Sequence, residues 1–405
     1  MAYLPLANIL HHKVRSLLSA LGIGCGICML VTLSGLSRGS LDEVADRWES
    51  VDADLIVYPR GWGQNVTTLS GIGLSDRYAG KILEDHGQIV ERVTPVFLWP
   101  MRLGGQDQLA AGVDPDHWSS LTGGRQLLSG RLFDPRGKFA AWLQRRLLEG
   151  RADDESAPAE LNTQAEFADP DHCGLEMVID TRLAAKADLK LHDTVRVANH
   201  DWKIVGIVPA GGMSRVFLPR RTAQFLFGSG SITQSTLLFV KLRPGVDRDQ
   251  AARQIRRIGQ EVVQLRQYRA MLQQRFGIMF RYVDVVNAMA LAVAFLFIMN
   301  TLYTMVLQRT REIAILKSYG ATGWFLVRQV LGESMILTAV GTAFGISVSL
   351  PVGWVVEALT LNTVTITWEW IAIAVGAAAA GATLSATYPA WRATRVDVVE
   401  ALTLE

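Results

Sequence analysis

Four stretches of the chain carry no Asp, Glu, Lys or Arg: Ser16–Ser37, Val285–Gln308, Ser334–Val356 and Trp370–Trp391. Each is 22 to 24 residues long and mostly apolar. At 1.5 Å per helical residue, such a length crosses about 30 Å of hydrocarbon. The pattern predicts four transmembrane helices over 16–37, 285–308, 334–356 and 370–391. Every one of the 40 basic and 38 acidic residues falls outside these windows, so the overall 19% charge is an average over two different kinds of chain. The fold class that follows is a membrane α-helical bundle of four helices plus a large extracytoplasmic α/β domain between helices 1 and 2.

Charges beside the windows set the expected orientation. Lys13 and Arg15 precede the first window; Arg309, Arg311, Lys317 and Arg328 lie between the second and third; Arg392 and Arg395 follow the fourth. The loop 357–369 has no Lys or Arg. Alternation then puts both termini and the 309–333 loop in the cytoplasm, with 38–284 outside, as expected of a multi-pass protein of the bacterial inner membrane. Trp354, Trp368 and Trp370 fall at the outer interface, and Trp324 and Trp391 at the inner one, as aromatic belts require. Residues 1–15 read as an amphipathic lead-in segment and 392–405 as a cytoplasmic tail.

Within the outer region, alternating or β-branched runs predict strands at Leu55–Tyr58, Val93–Leu98, Met177–Ile179, Val195–Ala198, Lys203–Val208, Val216–Leu218 and Leu237–Leu242. Asn199-His200 is placed at a hairpin turn. Helices are predicted at Asp76–His86, Thr181–Ala187, Arg220–Phe227 and Val246–Val263, the last capped by Asp247. Phe139–Leu148 reads as a short amphipathic helix, and the acidic Asp153–Asp171 as a loop. A core domain over 38–261 would then pass into a stalk helix, 262–284, carrying Gln264, Arg269 and Arg281 and running unbroken into the second span. Arg253, Arg256, Arg257, Arg266 and Arg269 form a basic run, read as a solvated face or a contact with anionic lipid or an acidic partner. In the first span, Gly22-x-x-x-Gly26 is spaced for close approach of another helix.

Composition and charge remove several functions. A net charge of +2 gives no footprint for nucleic acid. Three cysteines make no disulfide framework, and Cys25-Gly-Ile-Cys28 lies inside a span, where a thiolate is not accessible. There is no G-x-x-x-x-G-K-[ST] loop, no H-E-x-x-H and no G-x-S-x-G. Asp171-His172-Cys173 is a poor metal set, since adjacent residues do not converge on one ion. The expectation is no catalytic residue, no metal and no cofactor bound by this chain. The uncharged windows also argue against an ion-coupled transporter.

The most informative stretch is Gln308-Arg-Thr-Arg-Glu-Ile-Ala-Ile-Leu-Lys-Ser-Tyr-Gly-Ala-Thr-Gly323. It predicts a short helix with Arg309, Arg311, Glu312 and Lys317 polar and Ile313, Ile315, Leu316 and Tyr319 apolar. Gly320 suits the left-handed stop and Thr322 an N-cap. Such a helix either fits a partner's groove or lies on the membrane as a connector.

This stretch resembles the R-x-R-E-I-[AG]-[IL]-L-K-[AS]-[LYI]-G-A-[TS] hallmark of the FtsX-like permeases, the membrane subunits of MacB-type, mechanotransmitting ABC transporters. Tyr388-Pro-Ala-Trp-Arg-Ala-Thr-Arg-Val-Asp-Val-Val-Glu-Ala-Leu402 is similar to the family's closing P-A-x-R-A-[AS]-R-x-[DN]-P-[VI]-E-A-L, with Val398 in place of Pro. Asn8-Ile-Leu, Ser16–Ile23, Asp54–Val57, Gly130-Arg131 and Trp202–Ile207 are similar to other parts of the family pattern. The 137–173 segment reads as an insertion.

The resemblance implies a permease coupling ATP hydrolysis to motion of its periplasmic domain, for export or extraction of a hydrophobic or amphipathic compound, a lipoprotein or a peptide. It implies Arg309, Arg311, Glu312, Ile313, Leu316, Lys317 and Gly320 as the coupling helix to an ATPase. No ATPase domain precedes the permease, so ATP and Mg are expected to enter through a separate ABC ATPase subunit. Other implied partners are a second permease copy, as homodimer or related heterodimer, a periplasmic adaptor with an outer-membrane component, and membrane lipid. Two alternatives stand beside export: a mechanotransmitting regulator of a periplasmic hydrolase, and a membrane-anchored sensor.

Overall fold

A computed structural model describes residues 13–60, 73–133, 175–228, 233–360 and 362–395. The lead-in segment up to residue 12, the 137–173 insertion with its Phe139–Leu148 helix and Asp153–Asp171 loop, and the tail from 396 lie outside the described residues. The chain divides into two units, Met1–Leu41 with Arg275–Glu405, and Asp42–Gln274.

The first unit holds helices long and apolar enough to cross a membrane. Helix α1 is Lys13–Glu49, whose residues from Asp42 belong to the second unit. Its companions here are α8 (Gly277–Gln308), α10 (Gly323–Leu359) and α11 (Trp368–Thr394), with the short α9 (Thr310–Ser318) between α8 and α10. Small residues let these helices meet. A Cβ added at Gly22 would rest 3.6 Å from Phe297 of α8, and one at Gly26 3.2 Å from the Ala294 Cβ. The closer crossing is with α10: a Cβ on Gly345 would lie 2.5 Å from the Gly24 carbonyl oxygen, and one on Gly341 2.8 Å from the Ile23 Cβ. Backbones this close gain dispersion contacts where burial from water gives no driving force. Polar side chains join the same helices. Ser19 Oγ is 2.5 Å from Thr301 Oγ1, Asn287 Nδ2 donates to Ser34 Oγ at 3.0 Å, and Ser334 Oγ donates to the Ala382 carbonyl at 3.0 Å.

The second unit is an α/β domain. Its strands are β1 (Leu55–Tyr58), β2 (Leu74–Ser75), β3 (Val90–Leu103), β4 (Gln106–Val113), β5 (Ser129–Gly130), β6 (Glu176–Asp180), β7 (Thr194–Val197), β8 (His200–Val208), β9 (Val216–Pro219), β10 (Gln234–Ser235), β11 (Leu237–Leu242) and β12 (Glu261–Gln264). One sheet runs β12-β1-β11-β3-β4-β9-β6-β8-β5, with β7 on β8; β2 and β10 pair separately. Its helices are α2 (Arg77–His86), α3 (Trp118–Leu121), α4 (Thr181–Ala187), α5 (Arg220–Phe227), α6 (Arg248–Ile255) and α7 (Tyr268–Arg275). The 14-residue β3 pairs with β11 through its first half and with β4 through its second, and so ties the two ends of the sheet together. Pairs β4–β9 and β6–β8 are parallel. Leu55, Val57, Ile82, Leu238, Val240 and Ile255 form one core of this domain. Trp202, Phe97 and Phe217 are also fully buried in the domain.

Local chemistry sets the turns. Gly104 and Gly105, both at positive φ, join β3 to β4 through a two-residue turn that a side chain would strain. Ala198 and Asn199, also at positive φ, join β7 to β8. The turn is therefore one residue earlier than Asn199-His200, because His200 pairs with Val197.

Two predicted elements need correction. The helix expected over Val246–Val263 ends at Ile255, and Gly259 at φ 87° stops the following 3₁₀ turn. The stalk is not one helix. Glu261-Val-Val-Gln264 is a strand that pairs with β1, where its β-branched residues fit a pleated surface. A 3₁₀ turn, Leu265–Gln267, and α7 follow, and Phe276 (φ −82°, ψ 3°) separates α7 from α8. Helix α1, by contrast, continues without a break from its window to Glu49.

Candidate functional site

Helix α9 is held by its own two faces. Ala314 is fully buried, and Ile313 packs against a core that includes Ile298, Val330, Ala390 and Ala393. Arg309, at φ −107° and ψ 18°, breaks α8 from α9, and its N–H bonds the Met305 and Val306 carbonyls. Gly320 takes φ 86°, which allows the chain to turn back, and the Thr322 side chain accepts from the Phe325 N–H to start α10. These are the helix-end devices expected from the sequence.

The opposite face of α9 is open. Arg311, Glu312, Ile315, Ser318, Tyr319 and Gly320 are exposed, with Tyr319 at 87%. Arg311, Ile315 and Tyr319 are spaced i, i+4, i+8 and share one face. Trp324, in the first turn of α10, is 72% exposed beside this end of the unit. The result is an apolar and aromatic surface bordered by charge.

Between α9 and its neighbours lies a cleft of about 40 Å³, lined by Met305, Arg309, Glu312, Ile313, Leu316, Leu326, Gln329, Glu333 and Ala393 among others. Arg309 Nη1 is 3.5 Å from Glu333 Oε1, and both side chains are largely buried. Arg309 Nε also approaches the exposed Glu312 carboxylate at 3.9 Å. Lys317 Nζ donates to the Thr394 carbonyl, the last residue of α11, at 2.8 Å. The seven residues expected to form a coupling helix thus divide. Arg311, Glu312 and Gly320 face outward; Arg309, Ile313, Leu316 and Lys317 hold α9 to the other helices.

The residues expected along a stalk are not brought together. Gln264, on β12, donates from Nε2 to Asp249 Oδ1 at 2.6 Å. Arg281 is on α8, its Nε 3.4 Å from the Gly277 carbonyl. Arg269 is the informative one. Its guanidinium reaches Asp42 (2.8 Å), Asp46 and Glu49 (3.4 Å), all on the last turns of α1. On the same segment Trp48 stacks on Tyr268 with centroids 4.6 Å apart. Glu43, a turn earlier, receives Arg215 at 2.7 Å and Arg182 at 3.1 Å. The end of α1 is therefore bound to the α/β domain by ion pairs on two sides. Nearby, burial pushes the Asp180 carboxyl up from its ordinary range, although its side chain accepts from the Leu183 N–H as the N-cap of α4.

Arg220 was not singled out from the sequence. Its side chain is 5% exposed, with Asp76 at 2.6 Å and Asp114 at 2.7 Å. Burial opposes its charge, but the two carboxylates hold its pKa above the usual arginine value. Arg38 was also missed: its guanidinium lies 4.5 Å from the Trp370 ring centroid and 3.9 Å from Asp284. The available signal was an arginine placed directly after an uncharged window. Among the described residues no group of three His, Cys, Asp or Glu side chains could hold a metal.

Two family models together cover nearly the whole chain. The MacB-like periplasmic core domain matches residues 16–258, and the FtsX-like permease C-terminal matches 285–398. The chain belongs to the MacB-like, FtsX-type permease family. It is thus an ABC transporter permease, and its match to the MacB-like periplasmic core domain begins within its first apolar helix. Its relatives include the macrolide export ATP-binding/permease protein MacB of Bartonella henselae, 24% identical over 84% of this chain and 50% of that protein. The MacB of Neisseria gonorrhoeae is 24% identical over 86% of this chain and 52% of that protein. The pyoverdine export ATP-binding/permease protein PvdT of Pseudomonas savastanoi pv. phaseolicola is 26% identical over 97% of this chain and 58% of that protein. The chain spans about half the length of the curated relatives it matches. Among solved structures, the periplasmic region of MacB from Actinobacillus actinomycetemcomitans matches 55% of this chain and 94% of that chain at 12% identity, with a TM-score of 0.36, too low to bear on the fold.

Proposed function

We propose that this permease docks a separate ABC ATPase on the outward face of α9 and uses ATP hydrolysis there to move its α/β domain. The exposed row Arg311, Ile315 and Tyr319 carries the reading, because the opposite side of α9 is packed through Ile313 and the buried Ala314. An apolar row bordered by charge is what a helix offers to a partner's groove. The relatives' printed names join ATP-binding to permease, which supports an ABC ATPase as the component that brings ATP and Mg to this permease. On this reading α9 and both ends of the sequence lie in the cytoplasm, and the α/β domain lies in the periplasm of a bacterial inner-membrane protein. A second permease copy completes the complex, and a periplasmic adaptor with an outer-membrane component receives the cargo.

The cargo class is a hydrophobic or amphipathic compound, a lipoprotein or a peptide, handled by the periplasmic domain and not carried through the bilayer in a hydrophilic tunnel. The uncharged windows support this, since a water-filled path is normally lined by polar or ionisable groups. The reading is tested by purifying the tagged full chain from its own membranes and identifying what accompanies it. An ABC ATPase at a stoichiometric level is expected. A periplasmic hydrolase alongside the ATPase would replace export with regulation, and no ATPase at all would refute the reading.

A further inference from the structure

Sequence joins α9 to α8 and α10 through its two ends only. The side chains join it to more. Arg309, at the α8–α9 break, reaches Glu333, about three turns into α10. Lys317, at the other end of α9, donates to the final carbonyl-bearing turn of α11 through Thr394. Between these ties Ala314 is fully buried and Ile313 packs against a core that includes Val330, Ala390 and Ala393.

Glu333 is 5% exposed and lies directly before the uncharged window of α10. A carboxylate so placed is costly unless paired, so it is a poor choice for stability alone. A buried pair does fix a geometry, because few arrangements of the two helices satisfy both ions. The cleft beside the pair has room for about two or three waters, so the helices are not packed solid at this point. Beside the cleft the Arg309–Glu333 pair adds to the packing that Ala314 and Ile313 provide.

We infer that Arg309, Glu333 and Lys317 are positioning residues that make α9, α10 and α11 move together, so that force applied to α9 enters the third and fourth spans as well as the second. This rests on α9 being the ATPase docking surface. Without these ties, docking would persist while the motion dissipated in α9 itself, since a short helix between two chain breaks can pivot. The two events are separable because the docking residues and the tying residues occupy opposite faces.

The test uses the full chain purified with its ATPase in nanodiscs. The three cysteines are replaced, and spin labels are placed at Leu296 on α8 and Leu350 on α10, both exposed and far from α9. Mg–ATP is expected to shift the label separation in the parent complex. In Glu333→Gln, Arg309→Gln and Lys317→Gln the ATPase is expected to co-purify at the parent level, while the population shifted by Mg–ATP falls about tenfold, the scale of a coupling free energy. The exchange Arg309→Glu with Glu333→Arg should recover part of the shift, and Arg309→Lys should keep most of it, which a packing defect would not produce. If any one of the three Gln variants accumulates poorly, the other two carry the comparison. A full Mg–ATP shift in the Gln variants overturns the inference and leaves docking on α9 standing. Loss of the ATPase from the parent complex overturns both.

Discussion

Adding one methyl group at Gly345 should destabilise the membrane unit, whereas the same change at Gly376 should not. The new Cβ at Gly345 would lie 2.5 Å from the Gly24 carbonyl oxygen, 3.0 Å from the Gly24 Cα and 3.0 Å from the Ile27 Cβ. Two of these three atoms are backbone, so no rotamer change relieves the overlap, and α1 and α10 must separate locally. Overpacking of this kind costs about 1–3 kcal/mol. Lipid supplies no compensating hydrophobic gain for the extra methyl. The helix preference of Ala over Gly returns about 1 kcal/mol at most. A net loss of about 1–2 kcal/mol is predicted, which is a 5- to 30-fold change in the unfolding equilibrium. At Gly376 a Cβ meets nothing within 4 Å, so only the helix preference acts and Gly376→Ala should be neutral or slightly stabilising. Equilibrium unfolding of the full chain in mixed micelles of dodecyl maltoside and SDS reads both variants against the parent. Equal stability of Gly345→Ala and Gly376→Ala would refute the α1–α10 crossing.

Three other outcomes are expected. Arg220→Met should cost about 3 kcal/mol, the low end for a broken buried pair, because it removes the guanidinium between Asp76 and Asp114 while Asp76 keeps Arg221 and Ser235; thermal unfolding of the α/β domain within the full chain reads it, and Arg220→Lys should recover only part, since one ammonium does not span two carboxylates as a guanidinium does. The Lys241 hydrogen bond, opposed by desolvation and aided by Arg92, holds the Asp52 carboxyl below its ordinary range. A depressed folded value contributes stability above the unfolded value of 3.8 and loses it as pH falls through the folded value, so Asp52→Asn should flatten the acid limb of a stability–pH curve below about pH 5 and leave the alkaline limb unchanged. Arg269→Ala should increase proteolysis or hydrogen exchange at Asp42–Glu49, where it faces three carboxylates, with little change in the sheet core.

The sequence was most legible where one physical requirement dominates. Lipid tolerates no unpaired charge, so uncharged windows located the apolar helices closely, although the helices themselves extend beyond them: α10 begins at Gly323, eleven residues before its window. Hydrophobic alternation located β1, β6, β8, β9 and β11 well. It missed β4, whose Gln106-Asp-Gln start is polar and whose assignment depends on the Gly104-Gly105 turn. The stalk was misread because Glu261–Gln264 fits either a helix or a strand by period alone, and pairing to β1 decides it. Pair spacing located Gly22 and Gly26, but the tighter crossing at Gly24, Gly341 and Gly345 needs knowledge of which helix lies opposite. In the same way the loop motif marked α9 as a unit and could not separate its exposed face from its packed face. That division depends on Thr394 and Glu333, which are distant in sequence.

The central claim is that the Arg311–Ile315–Tyr319 face of α9 receives the ATPase. Its most direct measurement is the ATPase recovered per permease when Ile315→Glu and Tyr319→Glu chains are purified from membranes, beside Leu128→Glu, which changes an exposed apolar residue of the α/β domain. The account predicts that each α9 variant loses most of the ATPase while inserting normally, and that Leu128→Glu keeps it. Unchanged recovery in both α9 variants would contradict it.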